Sequence, residues 1–235
     1  MLNFYIFSEI HNGKFSSYSF THFFVLVLIF LSTIFFIKSK LWLKKNDKIF
    51  RYSFAVFLVT TELVYKYWIL DKINSYIELI PLNFCDVTLF ITIYSLIKNN
   101  KTTANIGLYF SILGGILAII FPTISYGPSH FRFFHYFAMH YFVIICNFHF
   151  VLTEKITISN KANINAIIYA NGITLLVFII DLILKQNWFY LIYSPVKAIS
   201  DFLGFPLYSI LWYSFTSLLM RLSYIILKKL YLKNK

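Results

Sequence analysis

The chain has 235 residues, of which 59% are hydrophobic and 13% are charged, and its mean hydropathy is +0.72. A soluble domain has about 25% charged residues, so this composition indicates an all-α integral membrane protein. The net charge of +12 is typical of basic loops that meet anionic lipid, and we expect no nucleic-acid partner. Two cysteines exclude a disulfide-rich scaffold.

Seven apolar stretches, each close to the roughly 20 residues that a bilayer crossing requires, predict seven transmembrane helices. They cover residues 20–37, 51–70, 81–98, 104–123, 131–152, 164–186 and 205–228. The links between them are short, and no internal repeat is visible. Residues 1–235 are therefore predicted to form a single transmembrane helical-bundle domain. No basic segment precedes an apolar run near the N-terminus, so no cleavable signal peptide is expected.

The distribution of Lys and Arg predicts the orientation of the bundle. Most of them fall in the loops after the first, third and fifth stretches and in the C-terminal tail: Lys38, Lys40, Lys44, Lys45, Lys48, Arg51, Lys98, Lys101, Lys155, Lys161, Lys228, Lys229, Lys233 and Lys235. Cytoplasmic loops carry such an excess of basic residues. We therefore expect a multi-pass protein of the cell membrane with its N-terminus outside and its C-terminus in the cytoplasm.

Ionisable and thiol side chains inside these stretches are candidates for function, because a polar group in a bilayer is costly. Counting about 1.5 Å of rise per residue, we place a group of them within about 15 Å of the outer surface. The group comprises His22, Glu62, Lys66, Cys85, Asp86, His135, His140 and Asp181. Several helices thus present polar groups at one level, which predicts a site open to the outer half of the membrane.

Some of these residues also have purely structural interpretations. Glu62 and Lys66 are spaced i, i+4 and can neutralise each other. Asp86 can act as a carboxylate at the positive end of a helix dipole, and Asp181 can be solvated near the interface. Gly114 and Gly115 form a double glycine that allows a neighbouring helix to approach closely.

Cys85 is the candidate nucleophile. With Pro81 in the first turn of the third helix, Cys85 would follow about one turn later, where the helix dipole favours a thiolate. A nearby histidine can act as its base, whereas an apolar environment favours the thiol. His140 is preferred over His135 because it is the deeper of the two. Those two histidines lie about 140° apart around a helix, so a single ion would need ligands from other helices, and no metal is predicted.

Five short motifs occur in a characteristic order. "IPLNFC" opens the third stretch, "YFSILGGILAIIFPT" forms the fourth, "FFHYFAMH" lies in the fifth, "ANG" (170–172) lies in the sixth, and "SPVKAISDFLGFPLYSILW" leads into the last. With His22 after "SYSFT", they resemble the YwaF/TMEM164 group of seven-span integral membrane proteins, in the form of a bacterial YwaF-like member. The resemblance covers nearly the whole chain.

The resemblance implies an activity, because the eukaryotic relative is described as a phospholipid acyltransferase with a cysteine nucleophile. Carried over, Cys85 would be the nucleophile and His140 its partner. Members of the group often have a histidine two residues before the cysteine, where this chain has Asn83. The base would then be His140, His135 or His22, while Asn83 could donate a hydrogen bond to an oxyanion.

The leading hypothesis is therefore transfer or hydrolysis of fatty acyl chains of membrane phospholipids through a thioester on Cys85, without a cofactor. Glu62, Asp86, Asp181, His22 and His135 are predicted to line the substrate pocket. One alternative is a metal-dependent membrane lipid hydrolase, although the chain lacks the H-x-x-x-H pair of the seven-span ceramidase type. The other is a transporter or ligand-binding protein that uses the same polar groups. The sequence does not predict an oligomeric state.

Overall fold

A computed structural model of the chain describes residues 7, 14–73, 75–194 and 197–233. Within these residues it contains helices and one isolated β-bridge, between Lys14 and Tyr126, but no strand. The helices are α1 (Phe20–Lys38), α2 (Lys40–Lys45), α3 (Asp47–Ile69), α4 (Phe84–Lys98), α5 (Lys101–Ile120), α6 (Phe131–Leu152), α7 (Asn160–Leu184), α8 (Lys197–Leu203) and α9 (Leu207–Lys233), with a 3₁₀ turn at Tyr76–Leu79. The predicted all-α fold is confirmed.

Five helices in the described part of the chain, α1, α5, α6, α7 and α9, are long and apolar enough to cross a membrane. The two other predicted spans form helices that fall short for different reasons. α4 has only 15 residues, whereas α3 has 23 but includes Glu62 and Lys66. The chain is thus an all-α polytopic membrane protein, while the count of seven spans and the orientation stay predictions.

α5 lies at the centre of the bundle, where it packs against α4, α6, α7 and α9. Its double glycine permits two of these contacts. A Cβ atom on Gly114 would lie 2.8 Å from the ring of Phe84 on α4, and one on Gly115 would lie 2.8 Å from the side chain of Ile144 on α6. Because those distances are below van der Waals contact, α4 and α6 can approach α5 this closely only at glycine.

The start of α4 differs from the prediction. The third stretch was expected to begin its helix at Pro81, but α4 begins at Phe84 with Asn83 as its N-cap. The Asp86 carboxylate accepts hydrogen bonds from the Asn83 backbone N–H (3.3 Å) and from its side-chain amide (2.9 Å). This pairing stabilises the later start. Cys85 is consequently the second residue of the helix.

The opposite end of the bundle is held by a carboxylate that the sequence analysis did not single out. Asp47, ahead of the predicted span 51–70, accepts hydrogen bonds from Arg51 Nε (3.0 Å), His149 Nε2 (2.8 Å) and Lys155 Nζ (2.6 Å). His149 is buried and stacks on the ring of Phe50, with 4.2 Å between centroids. These contacts tie the start of α3 to the end of α6.

Replacing Asp47 with asparagine is expected to lower the free energy of unfolding at neutral pH by about 1 kcal/mol, after allowance for solvent screening of this partly exposed group. Burial alone would raise the pKa of Asp47, but hydrogen bonds from Lys155, His149 and Arg51 lower it from 3.8 to about 2. A lowered folded-state pKa stabilises the protein above pH 3.8, and this stabilisation is lost as the pH falls toward 2. Thermal unfolding in detergent between pH 7 and pH 2.5 should show a smaller loss of stability in Asp47→Asn than in wild type. An equal loss of stability with falling pH in Asp47→Asn and wild type would contradict the prediction.

Candidate functional site

The central feature of the site is a contact between a thiol and an imidazole from two different helices. His140 Nε2 lies 3.3 Å from Cys85 Sγ, and His140 Nδ1 lies 2.6 Å from the Tyr136 carbonyl oxygen. A carbonyl can only accept, so in the neutral ring Nδ1 carries the proton and donates it to Tyr136. Nε2 is then free to accept the thiol proton, as a general base requires.

Two adjacent glycines of α5 contact the helices that carry this pair. A Cβ on Gly114 would lie 3.7 Å from Cys85 Sγ, and one on Gly115 would lie 3.0 Å from the His140 carbonyl oxygen. The hydroxyl of Tyr136 donates to the Ala118 carbonyl (3.0 Å), which fixes the register of α6 against the end of α5. The adjacent glycines therefore bring α4 and α6 to the separation at which thiol and imidazole meet.

The first turn of α4 supplies donors for an oxyanion. The first N–H groups of a helix, here those of Phe84 and Cys85, have no acceptor within the helix and form the positive end of its dipole. Asn83 is exposed, and its side-chain amide donates to Asp86. The backbone N–H groups are therefore better placed than the Asn83 side chain to stabilise negative charge beside Sγ.

A second polar cluster lies beside the thiol–imidazole pair. Glu62 lies 3.7 Å from Lys66 Nζ and 3.8 Å from His135 Nε2. His135 accepts a hydrogen bond from Arg132 Nη1 (2.8 Å) and stacks on Tyr65, with 4.7 Å between ring centroids. Glu62 and His135 are thus brought together, in contact with each other rather than with Cys85.

His22 lies outside the thiol–imidazole pair. Its ring is 1% exposed, its Nδ1 accepts the Tyr18 backbone N–H (3.1 Å), and its Nε2 donates to the Ile119 carbonyl (2.9 Å). Both ring nitrogens are therefore occupied by backbone groups. His22 fastens α1 to the end of α5, and of the three histidines considered as a base only His140 contacts Cys85.

Asp181 is buried rather than solvated, with 0% of its surface exposed. Its carboxylate accepts the backbone N–H of Trp188 (3.1 Å) and so stabilises the turn that follows α7. This turn places the ring of Phe189 against Phe84, the residue before Cys85, with 5.4 Å between centroids. Asp181 therefore supports the wall of the site without contacting the thiol.

An apolar groove of about 410 Å³ lies between α8 and α9, behind that wall. It is lined by residues that include Leu203, Leu211, Trp212 and Phe215. Trp212 also donates from Nε1 to the Phe189 carbonyl (3.0 Å), so one residue of the groove contacts the wall beside Cys85. In the described residues, no group of three His, Cys, Asp or Glu side chains is arranged to hold a metal ion.

Sequence reasoning missed Arg132 and Tyr136. Both lie in the predicted fifth span, where the sequence analysis considered only the histidines as candidate site residues. The i, i+4 spacing from Tyr136 to His140 could have indicated a ring hydrogen bond to a backbone carbonyl. The spacing of Arg132 and His135, at i, i+3 on one helix, could likewise have indicated their contact.

Comparison with known proteins identifies one family. The model of the TMEM164 family matches residues 11–227, which include every candidate site residue. Neither the curated proteins nor the solved structures contain a significant match.

Proposed function

The chain belongs to the TMEM164 family, and we propose that it moves fatty acyl chains of membrane phospholipids through a thioester on Cys85. The observation that carries this proposal is the 3.3 Å contact between Cys85 Sγ and His140 Nε2. A thiol beside the free nitrogen of an oriented imidazole is the arrangement of a cysteine nucleophile with its base.

In the first half-reaction, His140 Nε2 takes the proton of the Cys85 thiol as sulfur attacks the ester carbonyl of the donor lipid. The resulting oxyanion is stabilised by the N–H groups at the start of α4. When the tetrahedral intermediate collapses, its carbon–oxygen bond to the glycerol breaks. His140 gives its proton to that oxygen, which leaves as the hydroxyl of a lyso-lipid and leaves the acyl group on sulfur.

In the second half-reaction, His140 takes a proton from an acceptor hydroxyl, which attacks the thioester carbonyl. The carbon–sulfur bond breaks, and the leaving sulfur takes the proton back from His140. A lyso-lipid acceptor makes the reaction a transfer, and water makes it a hydrolysis. Both routes end with the free thiol and a neutral imidazole, so neither needs a redox partner.

We place this reaction in the cell membrane, near the outer surface, because the basic loops predict that orientation. The polar groups at the start of α4 and α6 would then lie near the depth of lipid ester bonds. The apolar groove between α8 and α9 is suited to an acyl chain, since all of its lining residues except Ser214 are hydrophobic or aromatic.

The test is mass spectrometry of the purified protein after incubation in bilayers with phospholipid that carries an isotope-labelled acyl chain. The expected result is a mass increase of one acyl group, removed by hydroxylamine and mapped to the peptide that contains Cys85. The buried Cys146 provides a matched control. Cys146→Ala should keep the label, and Cys85→Ala should lose it.

Two outcomes would contradict the proposal. Label that persists in Cys85→Ala would assign the acyl group to another residue. Absence of label together with absence of lipid turnover would favour the transporter or binding alternative, in which the residues around Cys85 form the polar edge of a binding pocket.

A further inference from the structure

Arg132 is held in place beside the site by aromatic rings. Its guanidinium carbon lies 4.3 Å from the centre of the Tyr65 ring and 5.6 Å from that of Tyr136. Tyr136 in turn packs against His140, with 4.5 Å between ring centroids. Arg132 is half-buried, and a cation over aromatic faces in such a setting is stabilised without a carboxylate.

The carboxylates near Arg132 already have other hydrogen-bond or ion-pair partners. Glu62 pairs with Lys66, and Asp86 accepts hydrogen bonds from Asn83. Among the described residues, no ion pair joins Arg132 to a carboxylate. The hydrogen bond that the described structure gives its guanidinium goes to His135, which leaves most of its N–H donors for another acceptor.

Arg132 is also linked to the reacting groups by a chain of contacts. Its guanidinium lies over the Tyr136 ring, that ring packs against His140, and His140 Nε2 lies 3.3 Å from Cys85 Sγ. An anion bound to Arg132 would therefore lie within a few side-chain lengths of the thiol. In a glycerophospholipid the phosphate and the ester carbonyls are separated by a similarly short glycerol unit.

We propose that Arg132 binds the phosphodiester of the acyl-donor lipid and thereby positions the ester carbonyl at Cys85. This inference rests on the proposed function, because it assigns the headgroup side of the same site. A planar guanidinium offers two parallel N–H groups to two phosphate oxygens, a geometry that an ammonium group does not provide. Membrane acyl esters without phosphate, such as diacylglycerol, lack this contact.

A binding measurement tests the inference without requiring chemistry. Cys85→Ala protein, which cannot form a thioester, is titrated in detergent with dihexanoylphosphatidylcholine and with dihexanoylglycerol, and binding is followed by calorimetry. These two lipids carry the same acyl groups and differ by the phosphate-bearing headgroup. Adding Arg132→Gln should weaken binding of the phosphate-bearing lipid by about tenfold or more and leave that of dihexanoylglycerol unchanged.

Two further variants separate charge, geometry and folding. Arg221→Gln removes an arginine that likewise lies over a tyrosine ring, 4.9 Å from the centre of Tyr224, but that bonds to Asn160 and Asn163 of α7, and it should change either affinity by less than about threefold. Arg132→Lys keeps the charge but loses the planar fork, and it should weaken only the phosphate-bearing lipid. If Arg132→Gln does not fold, as judged by thermal unfolding, the Arg132→Lys comparison decides the question.

The inference is overturned if Arg132 variants weaken both lipids equally, or if they leave the phosphate-bearing lipid unaffected. Inorganic phosphate is titrated in parallel. Binding that depends on Arg132 and matches the lipid affinity would assign the site to free phosphate and overturn the lipid assignment. Absence of both acyl labelling and lipid turnover in the wild-type protein, with Arg132-dependent lipid binding intact, would reject the proposed function alone.

Discussion

Replacing His140 with alanine is expected to slow formation of the acyl-Cys85 thioester by about a hundredfold to ten-thousandfold. The reason is that Nε2 is 3.3 Å from Sγ and is kept as an acceptor by the Nδ1 hydrogen bond to Tyr136. Without the ring, the part of the chain that the structure describes offers no other hydrogen-bond acceptor for the thiol proton. The measurement is the initial rate of labelling from phospholipid with an isotope-labelled acyl chain, normalised to folded protein.

Two controls distinguish loss of a base from loss of folding. Imidazole added to His140→Ala should restore part of the rate, because it can occupy the space left by the ring and accept the proton. His149→Ala removes a buried histidine at the opposite end of the bundle and should keep the rate per folded molecule. A wild-type labelling rate in His140→Ala would show that another group is the base.

Replacing Gly115 with valine is expected to slow the same reaction by about a hundredfold. Even a Cβ at this position would lie 2.8 Å from Ile144 and 3.0 Å from the His140 carbonyl oxygen. Valine therefore forces α6 away from α5 and moves His140 relative to Cys85. Overpacking of this kind should also lower the free energy of unfolding by about 1–3 kcal/mol, measured by thermal unfolding in detergent.

Gly172 on α7 provides the matched control, because a Cβ there would meet nothing within 4 Å. Gly172→Val makes the same chemical change in open space, so labelling and stability should stay close to those of wild type. Equal effects of the two substitutions would mean that valine acts through helix propensity and that the Gly115 contact does not position His140.

The helical bundle was predictable because apolar stretches of membrane-spanning length are a strong signal. Cys85 and His140 could be selected from motif resemblance and relative depth, although 55 residues separate them. His140 was preferred over His135 as the partner of Cys85 because its predicted position is deeper in the membrane. In the structure His140 contacts the thiol, whereas His135 contacts Arg132 and Glu62.

Other features depend on packing that the sequence does not encode locally. Pro81 and Asn83 are both valid helix-start signals, and the hydrogen bonds between Asn83 and Asp86 decide in favour of the later start. The role of Asp47 depends on hydrogen bonds from His149 and Lys155, which are 102 and 108 residues away. Arg132 resembles any basic residue near the end of a membrane span until its two aromatic neighbours, Tyr65 and Tyr136, are known.

The turn that follows α7 connects the last helix, α9, to the start of α4, where Cys85 lies. Three side chains of α9 donate hydrogen bonds to carbonyl groups of the turn: Trp212 to Phe189, Tyr208 to Tyr190 (2.6 Å) and Ser209 to Leu191. The ring of Phe189 in turn packs against that of Phe84 at the start of α4. A long membrane helix can accommodate a change in bilayer thickness by tilting, and a tilt of α9 would be transmitted through these contacts to Phe84, the residue beside Cys85. The packing around the thiol would then respond to the physical state of the surrounding membrane.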